Sequence, residues 1–315
     1  MFERLDDWPS IHQFRNQSPP TNEDDLFSWI HMVHIPGPFE QTISDGFDRL
    51  IRHHRATNQR WLAVSGASHM GKTQAVTNIL IERAMQKPEQ WRTRSGEGVL
   101  STPYVYVVAA SNQEARGLLA TISKACGLPD AGTEQELKQR LAEMLPRLGT
   151  RLVVVDDAHM FRRRNDAASR VTDGLRKILE IPVPFAFVGV DLHSSALLYR
   201  SSRNNDTAHQ LERRHFPISL EPLDRRRDVV AAAELAHNFR KRMAAVTGLD
   251  IADALRDAEA LAVVLHRSQG RPGSFLNVLK QAVIEAIAEN DGVLTAGRLV
   301  AEAHRAPLGP LMEGD

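Results

Sequence analysis

The chain has 315 residues, 42% of them hydrophobic and 25% charged, which is the composition of a globular protein with about two domains. Its 39 basic and 39 acidic side chains cancel, so any binding of nucleic acid must use a local basic surface rather than overall attraction. The single cysteine, Cys126, excludes an internal disulfide and a metal site of paired cysteines. The sequence shows neither a leader peptide nor a membrane-spanning apolar run, so we expect a cytoplasmic protein without membrane contact.

The N-terminal region is predicted to begin with an arm and to continue with two helices. Residues 1–25 are polar and carry three prolines, so we expect a flexible arm. Apolar residues at helical spacing predict helices over Leu26–His34 and Phe39–His54, interrupted by Pro36-Gly37-Pro38. The second helix has an apolar face made of Ile43, Phe47, Leu50 and Ile51. We expect this face to pack beside the strand that follows.

The segment from Gly66 to Thr73 has the pattern G-x-x-x-x-G-K-[ST] of a phosphate-binding loop. An apolar strand predicted over Trp61–Ser65 precedes it and a helix predicted over Thr73–Met85 follows it, which is the order that such a loop requires. Glycine lets the main chain turn its N–H groups towards a phosphate, and the start of the helix adds the positive end of its dipole. The predicted nucleotide-binding residues are Gly66, Ala67, Ser68, His69, Met70, Gly71, Lys72 and Thr73.

Two side chains of this loop are expected to have specific tasks. Lys72 should place its ammonium on the β- and γ-phosphates and take part in catalysis, and Thr73 should give its hydroxyl to Mg²⁺. The alternative is an accidental match to the pattern in an unrelated loop, against which the flanking strand and helix argue. The sequence therefore predicts a site for a magnesium nucleotide.

Strands and helices alternate after the loop. The spacing of apolar residues predicts a strand over Tyr104–Ala109, helices over Gly117–Gly127 and Glu134–Leu148, and a strand over Arg151–Val155. The last of these is rich in valine, as in a parallel strand that is covered on both faces. This alternation indicates an α/β fold with a parallel sheet.

Asp156 and Asp157 come directly after that strand. We expect Asp156 to hold Mg²⁺ through water, and Asp157 to orient and activate the attacking water, a task for which such enzymes usually carry glutamate. Because aspartate is one methylene shorter, hydrolysis is expected to be slow or to need a bridging water. The alternative is that both aspartates only cap the next helix. Their distance from the loop, about 85 residues and two strand–helix units, favours an acidic element on the strand beside the loop strand.

Two more buried strands and a basic run follow. Strands are predicted over Pro184–Val190 and Pro217–Leu220, and Asp191 or Ser194 is a candidate sensor of the γ-phosphate at the end of the first. The run Arg162–Asn165 is either a solvated face or a contact to nucleic acid.

The pattern becomes helical from Asp224 onwards. Helices are predicted over Arg226–Val246, Ile251–His266 and Ser274–Asn290. A small helical bundle after an α/β core is expected to form a lid, and Arg271, at the start of the last helix, is expected to reach the nucleotide. The predicted domains are a flexible arm (1–25), an α/β nucleotide-binding domain (26–223), a helical lid (224–302) and a tail (303–315).

Several of these segments together are similar to one family. Four segments resemble motifs of the AAA+ ATPases: Gly66–Thr73, Leu152–Asp157, the arginine pair before Phe216, and the turn Gly270-Arg271-Pro272. A narrower resemblance, to the transposition regulators TniB and TnsC, covers most of residues 26–302 and rests on Trp29-Ile30 with Ile35–Phe39, on Leu175–Pro184 and on Leu211–Leu223. It implies an AAA+ P-loop NTPase core, with a parallel five-stranded sheet flanked by helices, followed by a small all-helical lid domain.

The resemblance also implies cofactors, partners and further site residues. With ATP and Mg²⁺ bound, the protein would assemble on double-stranded DNA as a homo-oligomer, either a ring or a filament. The oligomer would recruit and stimulate a transposase, and a target-selection protein is a further candidate partner. Hydrolysis of ATP would disassemble the oligomer. By position, Arg214 resembles the arginine finger that one subunit inserts into its neighbour's site, and Arg213 is the alternative. The candidates for DNA contact are Lys87, Arg92, Arg94, Arg116 and Lys124.

The sequence departs from the family pattern at two positions. Asp157 stands where glutamate is expected, and Val190 stands where threonine is common. Two alternative functions stay open: a signalling or scaffold NTPase that uses nucleotide as a switch without binding DNA, and a helicase-loader or initiator-type ATPase. The latter would be expected to carry a winged-helix module after the lid, for which the roughly 25 residues after Asn290 leave little room.

Overall fold

The computed structural model describes residues 7–54, 61–86, 101–111, 114–161, 175–192, 215–224, 228–244, 246, 249–289 and 292–306. Their contacts form two compact units. The first contains the described residues within 1–12, 39–67 and 72–220, and the second those within 13–38, 68–71 and 221–315.

A parallel sheet of five strands forms the centre of the first unit. The strands are β1 (Trp61–Gly66), β2 (Tyr104–Val108), β3 (Leu152–Asp156), β4 (Phe185–Gly189) and β5 (His215–Leu220). Their order in the sheet is β2-β3-β4-β1-β5, and every neighbouring pair is parallel. All five carboxyl ends therefore lie at one edge of the sheet, so the glycine loop after β1 and the aspartates after β3 share that edge.

The strand order corrects one expectation. We expected the acidic pair on the strand next to the loop strand, but β4 lies between β1 and β3. The apolar pattern could not reveal this insertion, because β3 and β4 are both fully buried runs with the same character.

Helices cover both faces of the sheet. They are α3 (Glu40–His54), α4 (Lys72–Met85), α5 (Ala115–Ala125) and α6 (Glu134–Arg147). The face that carries Val105 and Val153 packs on α5 and α6, and this core also contains Cys126. Burial raises the pKa of the Cys126 thiol to about 12, so this cysteine is an inert apolar core residue.

On the other side, α3 lies against β1 and β5, and α4 lies against β2 and β4. Ile43, Phe47 and Leu50 are fully buried, which confirms the predicted apolar face of α3 and its position beside β1. The sheet thus has a buried face on each side, in agreement with strands that are apolar throughout.

The second unit contains four helices from the C-terminal region of the described chain: α7 (Val229–Met243), α8 (Ala258–Arg267), α9 (Pro272–Ala288) and α10 (Ala296–Arg305). Two of the expectations for this region need correction. The single helix predicted over Ile251–His266 is divided, because the Asp257 side chain accepts a hydrogen bond from the Ala260 N–H (2.9 Å) and caps α8. Helix α10, which Thr295 caps in the same way, was not predicted.

Residues 13–38 also belong to the second unit. They contain the end of α1 (Trp8–Asn16) and the whole of α2 (Glu23–Met32). The Lys280 ammonium on α9 is buried and donates to the carbonyl oxygens of His31 (2.8 Å) and Val33 (3.2 Å), at the C-terminal end of α2. Lys280 therefore satisfies carbonyl groups that a helix end leaves without partners.

The expected arm over residues 1–25 contains a helix in its described part. Helix α1 begins at Trp8, and the Trp8 side chain is fully buried, as is most of Ile11. These two apolar residues, three positions apart, account for a packed helix where the prolines and polar residues suggested a chain without structure.

None of the described helices combines the length and the apolar character that crossing a membrane requires. The predicted tail after 302 lies partly outside the described residues, and the basic run at 162–165 lies outside them entirely.

Candidate nucleotide-binding site

The loop between β1 and α4 has the backbone geometry that its two glycines predict. Gly66 pairs with Leu220 of β5, and a Cβ at this position would lie 2.9 Å from the Leu220 carbonyl oxygen, closer than real Cβ atoms come. Gly71 has a φ of +81°, in the left-handed region that glycine adopts without strain. The two glycines therefore have separate reasons: close approach to β5 at Gly66, and backbone direction at Gly71.

Lys72 is the first residue of α4, and its side chain folds back onto the loop. The ammonium donates to the carbonyl oxygens of Gly66 (2.8 Å) and Ala67 (2.6 Å). These bonds use two of its three N–H donors, and the third can be directed to a phosphate oxygen. The residue is only 8% exposed, and burial lowers the pKa of Lys72 to about 8, although the charges of Asp156 and Asp157 partly oppose this shift.

The remaining residues of the loop leave room for an anion. Thr73, Ser68 and His69 are exposed at the start of α4, where the helix N–H groups and dipole favour negative charge. A Cβ built on Gly71 would meet nothing within 4 Å among the described residues. The loop thus combines donors, a cationic side chain and open space, and a phosphate group with its magnesium ion fits these residues.

Asp156, the last residue of β3, is held by two donors. Its side chain is 2% exposed, its Oδ2 accepts a hydrogen bond from the Tyr106 hydroxyl (2.9 Å), and its Oδ1 accepts one from the Asp157 N–H (2.8 Å). The electrostatic interaction between Asp156 and Lys72 connects this carboxylate to the loop. The acidic residue and the loop lysine therefore interact electrostatically, and their joint binding of a magnesium nucleotide stays a prediction.

Asp157 has an unusual backbone conformation, with a φ of +51°. The left-handed region is uncommon for residues other than glycine, and aspartate is among those that tolerate it. Burial raises the pKa of the Asp157 carboxyl and the neighbouring Asp156 raises it further, whereas His159 and Lys72 lower it. The side chain is half-exposed, with its Oδ1 4.0 Å from Nδ1 of His159. In the described segment that ends at residue 161, Asp157 is followed by a short 3₁₀ turn, Ala158–Phe161.

The end of β4 is connected to both neighbouring strands. The N–H of Val190 donates to Nδ1 of His159 (3.4 Å), in the turn after β3. The N–H of Leu192 donates to Oγ of Ser65 (2.9 Å), in β1 directly before the loop. The expected sensor region after Gly189 therefore contacts the acidic element and the loop strand through backbone donors, so a side chain at Val190 is not needed for this connection.

Arg271 lies in the second unit, with residues 68–71 of the loop. It is the N-cap residue of α9 and is 8% exposed. Two residues further on, the Gly273 N–H donates to the His69 carbonyl oxygen (2.9 Å). The start of α9 thus contacts the backbone at residue 69 within the second unit, and the binding of the nucleotide by Arg271 stays a prediction.

Several predicted residues lie outside the part of the chain that the structure describes. They are Arg213, Arg214, Lys87, Arg92, Arg94 and Ser194. Of the predicted DNA contacts, Arg116 and Lys124 are described, and both are exposed on α5. The Arg116 guanidinium donates to the Gly132 carbonyl oxygen (3.0 Å), so Arg116 also has a structural contact.

Tyr106 and His159 contact the predicted residues Asp156 and Asp157, and Ser65 contacts Leu192, next to the candidate sensor Asp191; none of the three was selected from the sequence. For Tyr106 a signal exists: the hydroxyl of a tyrosine in a buried strand usually has a hydrogen-bond partner. Identifying that partner as Asp156 requires the pairing of β2 with β3, which the sequence does not give.

Strand order, loop geometry and the surrounding helices together define the class: the fold is that of an AAA+ P-loop NTPase, with a helical C-terminal region. Residues 54–198, which include the loop and the acidic pair, match the family model of the AAA domain.

Several solved structures share this fold. Cdc6p from Pyrobaculum aerophilum is similar over 92% of this chain and 68% of its own, with 15% identity and a TM-score of 0.54. The ORC1 protein of Aeropyrum pernix, in complex with DNA, is similar over 88% of this chain and 67% of its own, with 17% identity and a TM-score of 0.57. Domain III of the replication initiation protein DnaA from Thermotoga maritima is similar over 86% of this chain and 94% of its own, with 10% identity and a TM-score of 0.52. A comparison with curated proteins gave no match.

Proposed function

We propose that this protein is a magnesium-dependent ATPase that assembles on duplex DNA in response to ATP. The observation that carries the proposal is the placement of the loop and the acidic pair: Lys72, held by the carbonyl oxygens of Gly66 and Ala67 after β1, and Asp156 and Asp157, at the end of β3, lie at the same carboxyl edge of a parallel sheet. A lysine on a glycine loop and an acidic pair on a nearby strand are the two parts that P-loop NTPases use for phosphate and metal.

The residues divide the reaction among them. The loop N–H groups and Lys72 bind the phosphates. The Thr73 hydroxyl and Asp156, the latter through water, would hold Mg²⁺, which would neutralise negative charge on the phosphates. Asp157 orients the attacking water, and Arg271 binds the nucleotide. Arg214, supplied by a neighbouring subunit, stabilises the charge of the transferring phosphoryl group. Hydrolysis then depends on assembly, because the site is complete only between subunits.

The resemblance to TniB and TnsC extends this proposal to transposition. In that function the ATP-bound oligomer, a ring or a filament, marks a DNA target and recruits a transposase, with a target-selection protein as a further partner. The ORC1 structure, which contains DNA, supports DNA as a ligand for this fold. Hydrolysis would release the assembly.

Sedimentation with duplex DNA tests the proposal. We expect the wild-type chain to form higher-order complexes with DNA in the presence of ATP and Mg²⁺, and the Lys72→Ala variant to form none. Asp157→Asn should bind ATP and remain trapped in the complexes, since only water activation is lost. Absence of any ATP-dependent complex would contradict assembly on DNA. Normal turnover by Asp157→Asn would assign the base to another residue.

A second candidate function is a nucleotide switch with little turnover and no DNA binding. The side chain of Asp157, one methylene shorter than that of glutamate, favours this alternative, since it reaches less far towards an attacking water. The two functions differ in a simple measurement. A switch would bind ATP tightly and release no phosphate, whether or not DNA is added.

Deprotonation of Lys72 should weaken ATP binding above about pH 8. Burial lowers the pKa of this side chain to about 8, and phosphate favours its charged form. Below this pH the lysine is already protonated, so affinity should be constant. Above it, binding must take up a proton, and affinity should fall by up to about tenfold per pH unit. Titration with a fluorescent ATP analogue on both sides of this pH measures the effect.

Lys280 provides the control for this pH dependence. Burial and Arg15 lower the pKa of Lys280 to about 8 as well, but this residue lies in the helical part of the second unit. In Lys280→Arg the guanidinium keeps its proton, so this titration is removed. We expect the decline in affinity to persist in Lys280→Arg, and a flat profile in the wild-type chain would contradict the role of Lys72.

A further inference from the structure

Tyr106 makes a buried contact with the candidate metal-binding residue. The tyrosine is 1% exposed, and its hydroxyl donates to Oδ2 of Asp156 at 2.9 Å. The other oxygen, Oδ1, accepts the N–H of Asp157 at 2.8 Å. Because each carboxylate oxygen has its own fixed donor, the plane of the Asp156 carboxylate is set from two sides.

The pairing of the two strands builds this contact into the sheet. In the parallel register of β2 and β3, Val108 is opposite Asp156 and Tyr106 is opposite Val154. Residues two apart in a strand lie on the same face, so Tyr106 and Asp156 are diagonal neighbours on one face of the sheet. A tyrosine at this position has the length to reach the strand end, and phenylalanine would fill the same volume without the hydroxyl.

The orientation of a carboxylate matters for the ion that it serves. Mg²⁺ requires near-ideal octahedral geometry and usually keeps several waters, so a carboxylate that holds it through water must present its oxygens in a fixed direction. Groups that orient metal-binding carboxylates typically contribute about 10–100-fold to metal affinity. The Asp157 N–H alone leaves Oδ2 without the donor that fixes it.

We propose that Tyr106 is a positioning residue for magnesium: its hydroxyl orients Asp156 so that the protein binds Mg²⁺-ATP in preference to ATP alone. This inference rests on the proposed function, since it assigns Tyr106 to the same nucleotide site. Each carboxylate oxygen keeps a lone pair for a metal-bound water while the Tyr106 hydroxyl and the Asp157 N–H hold the group in place.

The test compares Tyr106→Phe with Tyr104→Phe. Tyr104 is also buried in β2, on the same face as Tyr106, and is opposite Leu152 rather than close to the acidic pair. The readout is the ratio of ATP affinity with Mg²⁺ to ATP affinity with a chelator, measured with a fluorescent analogue. We expect this ratio to fall about tenfold or more in Tyr106→Phe and to stay at the wild-type value in Tyr104→Phe.

A double-mutant cycle tests whether Tyr106 acts through Asp156. In the Asp156→Asn background, Tyr106→Phe should change the ratio no further, because the oriented carboxylate is already lost. Thermal unfolding of each variant measures its stability separately. A Tyr106→Phe variant with a lower melting temperature and an unchanged ratio would overturn the inference and leave a structural role only. If the wild-type chain bound ATP equally well with and without Mg²⁺, the inference and the magnesium part of the proposed function would both be overturned. If the wild-type chain bound no ATP, the proposed function as a whole would be contradicted.

Discussion

Lys72→Ala should abolish measurable binding of ATP. The Lys72 ammonium is fixed by the carbonyl oxygens of Gly66 and Ala67. The substitution removes both these hydrogen bonds and the positive charge expected to bind the phosphates. A hydrogen bond to a charged group contributes about 1.5–3 kcal/mol, and about 1.4 kcal/mol is tenfold in affinity, so the expected decrease is on the order of 10²-fold or more. Titration calorimetry with ATP and Mg²⁺ measures it.

Lys138→Ala is the matched control for this loss. Lys138 lies on α6, where it forms a surface ion pair with Glu180, and removing such a pair changes stability by at most about 1 kcal/mol. Its ATP affinity should equal that of the wild-type chain. If Lys72→Ala also bound ATP with wild-type affinity, the assignment of residues 66–73 as a phosphate-binding loop would be wrong.

Arg214→Ala should reduce the rate of ATP hydrolysis by a factor on the order of 10³ or more, with little change in ATP binding. An arginine inserted into a neighbouring subunit's site acts mainly on the charge that develops as the phosphoryl group is transferred, and so contributes more to turnover than to affinity. Phosphate release at saturating ATP, in the presence of duplex DNA, measures the rate. Arg213→Ala is the control, because it removes the same charge one residue earlier in the chain.

Mixing two inactive variants tests whether the arginine acts between subunits. Arg214→Ala retains Asp157, and Asp157→Asn retains Arg214, so a mixed oligomer contains some complete sites. We expect the mixture to recover part of the wild-type rate. Failure to recover any activity would argue for a structural role of Arg214, and a larger loss in Arg213→Ala would transfer the finger to Arg213.

The sequence predicted those parts of the site that depend on local chemistry. The loop pattern identified Gly66 and Gly71, and the structure gives each a physical reason, in the approach to Leu220 and in a positive φ. The apolar runs located the five described strands, and β1 to β4 are almost entirely buried, because a strand that is covered on both faces must be apolar throughout. The acidic pair was placed correctly at the carboxyl end of a strand for the same reason.

The parts that depend on pairing between distant segments could not be predicted. The position of β4 between β1 and β3, and the contact of Tyr106 with Asp156, are set by strand order and register. The positive φ of Asp157 is likewise a property of the turn into which the chain is forced after β3. Helix α10 was missed because only Leu299 and Ala303 are buried along it, a weak signal in a short segment.

The contacts of Lys280 have a consequence for where the helical unit begins. Its ammonium donates hydrogen bonds to the carbonyl oxygens of residues 31 and 33. In the same unit, the Arg242 guanidinium lies 5.6 Å from the Trp29 ring centroid. A protein begun at residue 39 would leave the buried Lys280 charge without these acceptors, and an unsatisfied buried charge is strongly destabilising. The C-terminal helices are therefore one half of a discontinuous domain whose other half is encoded more than two hundred residues earlier, and their excision as an independent fragment requires both halves.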